Sequence, residues 1–151
     1  MKNLYQRKRQ EGFTIIEVMI VLAIAAVILL IVLLAVPALQ RNSRNTQRNN
    51  DVASLAAAIN TCMANHNSVT TSCGGTAGSG NNVDVDFTKL GQIQSASQGG
   101  GCAASTTNAC WQFGKTCNSD GTGVADATSR EFAVTYKIET TGTALDRCVA
   151  S

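Results

Sequence analysis

The longest apolar run in the chain lies near its N-terminus, where nineteen residues from Val18 to Val36 carry no polar side chain. In a helix that rises about 1.5 Å per residue, this run spans ~28 Å, close to the ~30 Å hydrocarbon layer of a bilayer. The pattern predicts a transmembrane helix. A secretory signal peptide is the alternative, because residues 36–38 (Val-Pro-Ala) loosely resemble its cleavage site, but its apolar stretch is only about 7–15 residues long.

The pattern after this run predicts that the helix continues. Pro37 cannot donate a hydrogen bond to the carbonyl of Leu33, so a kink or a loosened turn is expected there. Residues 40–51 are all polar. The following apolar positions recur at spacings of three and four residues, as on one face of a helix: Val52, Leu55, Ile59 and Met63. We expect one helix from Phe13 to about Asn65.

The pattern changes beyond Asn67, where short alternating segments replace the helical spacing. Residues 131–139 (EFAVTYKIE) alternate in the way that predicts a strand, and residues 144–150 can return as its hairpin partner. The weaker candidates are a strand at 109–117, a short edge strand or helical turn at 83–93, and Gly/Ser-rich loops at 73–82 and 97–102. The expected fold is α+β: a long N-terminal helix, with a transmembrane half and an amphipathic half, packed on a small antiparallel sheet.

The six cysteines all follow the apolar run: Cys62, Cys73, Cys102, Cys110, Cys117 and Cys148. None forms a C-x-x-C pair and His66 is the only histidine, which argues against a zinc site. An even number of cysteines in a small polar region is typical of an oxidising compartment, so we expect disulfides and a C-terminal side outside the cytoplasm.

Charge is unevenly distributed along the chain. Residues 1–12 contain four basic and one acidic side chain, a balance of +3, whereas residues 51–151 contain five basic and eight acidic ones, a balance of −3. An acidic distal part is a poor electrostatic partner for nucleic acid, and no specific nucleic-acid site is expected.

The residues around the start of the apolar run resemble a known family. The stretch KRQEGFTIIEVMIVLAIAAVILL (8–30) is similar to the class III leader of type IV prepilins: a short basic leader, a glycine, and then Phe-Thr-x-x-Glu opening an apolar helix. The resemblance implies that a membrane prepilin peptidase cuts between Gly12 and Phe13 and that Phe13 is then N-methylated. It covers roughly residues 7–60. Pro37 lies a few residues later than the proline usual in this family, which shifts the region expected to loosen.

Two roles are open for Glu17, the carboxylate at the edge of the apolar run. Thr14-Ile15-Ile16-Glu17 fits a capping box, in which the glutamate serves the start of its own helix. The family resemblance instead implies an assembly role: Glu17 meets the Phe13 amine of a neighbouring subunit and so fixes the register of packed helices. A pairing with Phe13 of the same chain is possible before assembly.

Family membership also implies an organisation and a function. The expected segments are a cleaved leader (1–12), a transmembrane and assembly helix (13–39), its amphipathic continuation (40–66) and a disulfide-stapled head (67–151). The implied function is that of a structural subunit, a major pilin, of a type IV pilus used for adhesion, twitching motility or DNA uptake. A pseudopilin of a type II secretion or competence system and a minor tip adhesin are the alternatives.

The same resemblance implies where the chain resides and what it contacts. It is expected in the inner membrane as a prepilin and then in an extracellular surface filament. Its expected partners are copies of itself, the prepilin peptidase, the pilus assembly platform and possible host or surface receptors. Arg41, Arg44 and Arg48 could contact lipid head groups, solvent or a neighbouring subunit. No enzymatic activity and no cofactor are expected, since no nucleophile–base pair or metal cluster stands out.

Six cysteines allow fifteen disulfide connectivities. Cys62 at the predicted helix end and Cys73 just after it are an easy pair. Cys117–Cys148 would clamp the C-terminal hairpin, as the disulfide-bounded loop of many pilins does, and Cys102–Cys110 then remains.

No metal site is expected, and the nearest candidate is a calcium loop. Asn118, Asp120 and Asp126 fall at ligand positions of an EF-hand count, but Ser129 occupies the place of the bidentate glutamate that such a loop needs.

Overall fold

The structure, a computed structural model, describes residues 12–77 and 83–151. All of the predicted leader except Gly12 lies outside the described residues. The chain forms two compact units, one ending at Leu39 and the other comprising Gln40–Ser151. We call the second unit the head.

The helix α1 comprises Ile15–Asn65, 51 residues, and includes Pro37 without ending there. It begins two residues after Phe13, the start expected from the sequence. Within the first unit, the large apolar side chains of the helix are exposed rather than packed on one another. Among the described residues, α1 is the one helix long and apolar enough to cross a membrane.

The head contains six strands, β1 to β6, and two short 3₁₀ helices. The strands are β1 (Ser95–Gln98), β2 (Asn108–Phe113), β3 (Lys115–Cys117), β4 (Val124–Asp126), β5 (Phe132–Ile138) and β6 (Leu145–Ala150). The 3₁₀ helices are Thr70–Cys73 and Phe87–Lys89, and the second is the helical turn expected as one alternative for residues 83–93. The α+β fold with a long N-terminal helix is confirmed.

The main sheet has the strand order β1-β2-β5-β6 and is mixed, not purely antiparallel. The predicted hairpin is present: β5 pairs antiparallel with β6, with Thr135 opposite Cys148. Strand β1 pairs parallel with β2, which corrects the expected antiparallel sheet. The sequence does not predict β1 because its residues Ser-Ala-Ser-Gln include none of the β-branched or aromatic side chains that mark strands. Part of the predicted loop 97–102 therefore lies in a strand.

The predicted strand at 109–117 is two strands. Gly114 has a φ of +69°, in the left-handed region that glycine adopts without steric cost, and it separates β2 from β3. Strand β3 leaves the main sheet and pairs antiparallel with β4 in a two-stranded sheet.

The core of the head forms between one face of α1 and the main sheet. The helix contributes the stripe predicted from its spacing, and all of its members are buried: Val52, Leu55, Ile59 and Met63. The sheet and the segment before it contribute Trp111, Phe132, Val134, Val83 and Ile93. Burial of these side chains is the main force that holds the second half of α1 in the head.

Candidate assembly site and the polar contacts of the helix

The residues at the predicted cleavage site are accessible. Gly12 has no neighbouring atom within 4 Å of the place where a Cβ would lie, and the Phe13 side chain is 89% exposed. Both residues precede the first turn of α1. Within the described part of the chain, nothing obstructs access to the bond between them.

Glu17 forms the capping box that the Thr14-x-x-Glu17 pattern predicts. Its Oε2 atom accepts hydrogen bonds from the Thr14 backbone N–H at 2.7 Å and from the Thr14 hydroxyl at 2.6 Å. The Glu17 backbone N–H donates in turn to Thr14 Oγ1 at 3.3 Å. These bonds use Oε2 only, so Oε1 can accept from a further donor.

An extensive apolar surface follows this carboxylate. The large side chains from Val18 to Leu34 are between about half and three quarters exposed. Such a surface needs a bilayer or other apolar helices around it, because water-exposed apolar patches of this extent are rare on soluble monomers.

Residues 7–33 match the family model of the prokaryotic N-terminal methylation motif. The chain carries the class III leader of type IV pilins. No curated protein and no solved structure matches it. The similarity to type IV pilins therefore rests on the N-terminal part of the chain.

In this pilin-type helix, Pro37 lies in the last part of the apolar segment. The helix continues through it to Asn65. The kink or loosened turn stays a prediction, based on the N–H that proline lacks.

Two arginines that follow the pilin-type segment pair with a carboxylate of the same chain, Glu139. Arg44 donates to both oxygens of the Glu139 carboxylate, with its Nη2 atom 2.5 Å from Oε2. Arg48 Nη2 lies 2.5 Å from Glu139 Oε1, and its side chain is 3% exposed. None of the three environments expected from the sequence describes Arg48, because its charge is paired inside its own chain.

Other polar residues of the helix between Arg41 and Asn49 bind the C-terminal end of β5 and the two residues after it. Asn45 donates to the Glu139 carbonyl at 2.7 Å and accepts from the Glu139 N–H at 2.9 Å. Arg41 donates to the Thr140 carbonyl at 3.4 Å. The Tyr136 hydroxyl donates to Asn49 Oδ1 at 2.7 Å.

Asp51 binds a different segment of the head. Its carboxylate accepts three backbone hydrogen bonds from consecutive residues, Gly91 at 3.1 Å, Gln92 at 2.6 Å and Ile93 at 2.9 Å. The side chain is buried, so these three N–H groups replace the water that the carboxylate would otherwise bind.

Electrostatics at Glu139 follow from these contacts. Hydrogen bonds from Arg44 and then from Arg48 lower the pKa of the Glu139 carboxyl from its ordinary value of 4.5 to about 2. Glu139 therefore remains ionised at neutral pH, where its pairing with the two arginines is maintained.

The disulfide bonds are Cys62–Cys73, Cys102–Cys110 and Cys117–Cys148. These are the three pairs expected from the sequence and the family resemblance. The first ties the end of α1 to the 3₁₀ helix at Thr70–Cys73, and the last ties β3 to β6. No cysteine in the described residues is free.

The residues of the calcium candidate have protein partners. Asp126 accepts from Lys115 Nζ at 2.5 Å, and Asp120 accepts from the Thr122 N–H at 3.0 Å within a turn. These hydrogen bonds lower the pKa of both carboxyls. Within residues 12–77 and 83–151, no group of three or more His, Cys, Asp or Glu side chains could hold a metal ion.

Proposed function

We propose that this chain is the major structural subunit of a type IV pilus. The observation that carries the proposal is the methylation motif at residues 7–33, which contains most of an exposed apolar helix surface and the single carboxylate, Glu17, at its start. The motif implies processing by a prepilin peptidase and assembly into a filament. In this proposal the helix first anchors the chain in the inner membrane and then packs against copies of itself in an extracellular filament.

Cleavage before Phe13 gives Glu17 a partner. It creates an α-amino group, which keeps its positive charge when it is methylated. A charge near the centre of a membrane helix costs about 2.5–3.5 kcal/mol on insertion scales, so an unpaired Glu17 among packed apolar helices is unfavourable. The free Oε1 atom of Glu17 is available to the Phe13 amine of a neighbouring subunit. This pair would fix the axial step of helices that could otherwise slide along one another.

The test is to substitute Glu17 and count filaments. We expect Glu17→Ala and Glu17→Gln to abolish or strongly reduce sheared surface filaments, while the processed chain still accumulates in the membrane. Val18→Ala is the matched control, because it shortens the neighbouring side chain without removing a charge. Filaments of normal yield and order from Glu17→Ala would contradict the assembly role.

The protein recovered from sheared filaments tests identity and role together. Its N-terminus should be methylated Phe13, and its mass before and after reduction should show six oxidised cysteines. As a major pilin it should account for most of the filament protein. A trace amount in filaments would indicate a minor pilin, and short fibres formed only on overproduction would indicate a pseudopilin.

A further inference from the structure

The helix α1 changes from having no tertiary partners to having many within a few residues. Among described residues 13–40, every hydrogen bond or ion pair lies within the helix or its first turn, and every side chain is exposed. The first contact of the helix with the rest of the head is the bond from Arg41 to the Thr140 carbonyl. From Arg44 to Asp51, contacts with the rest of the head follow at nearly every turn.

We call one set of these contacts the polar clasp. It consists of Arg44, Asn45, Arg48 and Asp51 on the helix, with Glu139 and the backbone of residues 91–93 on the head. Arg48 and Asp51 are buried: Arg48 forms an ion pair with Glu139, and the Asp51 carboxylate accepts hydrogen bonds from three backbone N–H groups. Opening this part of the helix would therefore leave buried charges without partners, which is costly.

Local unfolding of the helix is easier in the residues just before the polar clasp. Pro37 offers no N–H to the Leu33 carbonyl, so the helix lacks one hydrogen bond there. Within the described helix, residues 38–40 have no side-chain partners that would be lost on opening. The free energy of local opening should thus be low around Pro37 and rise sharply once the clasp has to break.

We propose that the polar clasp limits the opening of the helix. Local unfolding that starts at Pro37 is confined to the residues before Arg44. Head residues then determine how much of α1 can lengthen or unwind when its apolar half changes surroundings. The polar clasp keeps the part of the helix that forms the core, from Val52 onward, folded during that change. The inference does not depend on the filament proposal.

Amide hydrogen exchange of the full chain in detergent micelles tests this inference. In the unaltered protein, amides of residues 38–42 should exchange at least about tenfold faster than those of residues 45–51, as ~1.4 kcal/mol of extra opening free energy would give. Glu139→Gln should shift this step in exchange rate toward Asp51, because both arginines lose their charged partner while Asp51 keeps its three backbone N–H groups. Asp146→Asn is the matched control: it removes another carboxylate paired across β5 and β6, with Lys137, and should leave the step in place.

A second variant covers the case in which Glu139→Gln unfolds the head. Arg44→Gln leaves the Arg48–Glu139 pair intact and should move the step toward Arg48 without loss of protection in β2 and β5. Uniform exchange across residues 38–51 in the unaltered protein would overturn the proposal. A step that stays at the same residues in both Glu139→Gln and Arg44→Gln would overturn it as well.

Discussion

Glu139 is the residue on which most of the polar contacts between helix and sheet converge. Its carboxylate accepts from two arginines, while its backbone N–H and carbonyl both bind Asn45. The Arg44 side chain is 40% exposed, whereas that of Arg48 is 3% exposed. The buried arginine makes the carboxylate necessary, because Arg48 cannot lose its charge by deprotonation.

The low pKa of Glu139 predicts how stability depends on pH. The folded-state pKa of about 2 lies below the ordinary value of 4.5, so the contribution of Glu139 is complete above pH 4.5 and is lost as the pH falls toward 2. We expect the thermal midpoint of the unaltered head to fall between pH 5 and pH 2, and to fall less in Glu139→Gln. Melting curves at a series of pH values measure this. Parallel dependence in the two proteins would contradict the role of Glu139.

Asp51 offers a test of the buried carboxylate. In Asp51→Asn one oxygen becomes an NH₂ group that faces backbone donors, so at least one N–H of residues 91–93 loses its acceptor. We expect a loss of about 2 kcal/mol or more in the free energy of unfolding. Asp120→Asn is the control, because that exposed carboxylate serves a turn in which asparagine also fits, and it should change stability by less than ~0.5 kcal/mol. Chemical denaturation measures both, and equal losses would refute the claim.

The sequence alone does not reveal the partners of the polar helix residues Arg44, Arg48 and Asp51, for a physical reason. A polar stretch normally lies in solvent, and the partner Glu139 is 91 residues from Arg48, too far for any local pattern to reveal. One signal was present. Arg44, Arg48 and Asp51 continue the spacing of Leu55 and Ile59, so they lie on the face of the helix that enters the core. A charged residue in phase with an apolar stripe therefore predicts a charge that turns toward the core and needs a partner there.

At the scale of elements, the sequence predicts helix α1 and the β5–β6 hairpin, but it does not predict the edge strand β1 of the main sheet. The apolar run and the stripe after it determine α1, and the alternation of residues 132–138 determines β5, since burial enforces both periods. The pairing of β1 with β2 depends on backbone hydrogen bonds between residues distant in the pattern and on a disulfide loop. Side-chain periodicity carries no information about those bonds.

Burial predicts the order in which the disulfides are reduced. Cys62 and Cys73 are almost completely buried, whereas Cys117 and Cys148 are partly exposed in β3 and β6. We expect a hydrophilic thiol to reduce Cys117–Cys148 first and Cys62–Cys73 last, because attack requires access to a sulfur atom. Timed reduction, alkylation and peptide mass mapping show the order. Early loss of Cys62–Cys73 in a still folded head would contradict it.

At the scale of the whole molecule, the described chain divides into an exposed apolar helix and a head with a buried core. The first compact unit ends at Leu39, and among the described residues the head contains every buried core residue and all three disulfides. The length of the apolar run predicts this division. It does not predict that residues 40–51 belong to the head, because the contacts of the polar clasp join residues far apart in the sequence.

The division predicts the behaviour of a fragment comprising residues 40–151. We expect it to be soluble without detergent, monomeric in size-exclusion chromatography and cooperative in thermal unfolding, because its core and disulfides are complete. A fragment of residues 52–151, which lacks the helix side of the clasp, should melt at a lower temperature. An aggregated or non-cooperative 40–151 fragment would show that the head needs the apolar helix to fold.

Trp111 gives the protein a built-in optical reporter. It is the only tryptophan in the sequence, its side chain is completely buried in the head, and its indole nitrogen has no hydrogen-bond partner among the described residues. Its fluorescence therefore reports the state of the head alone, whatever surrounds the apolar helix. Emission that stays blue while the chain leaves a bilayer would mean that the head travels intact, and a red shift would mean that it has opened to water.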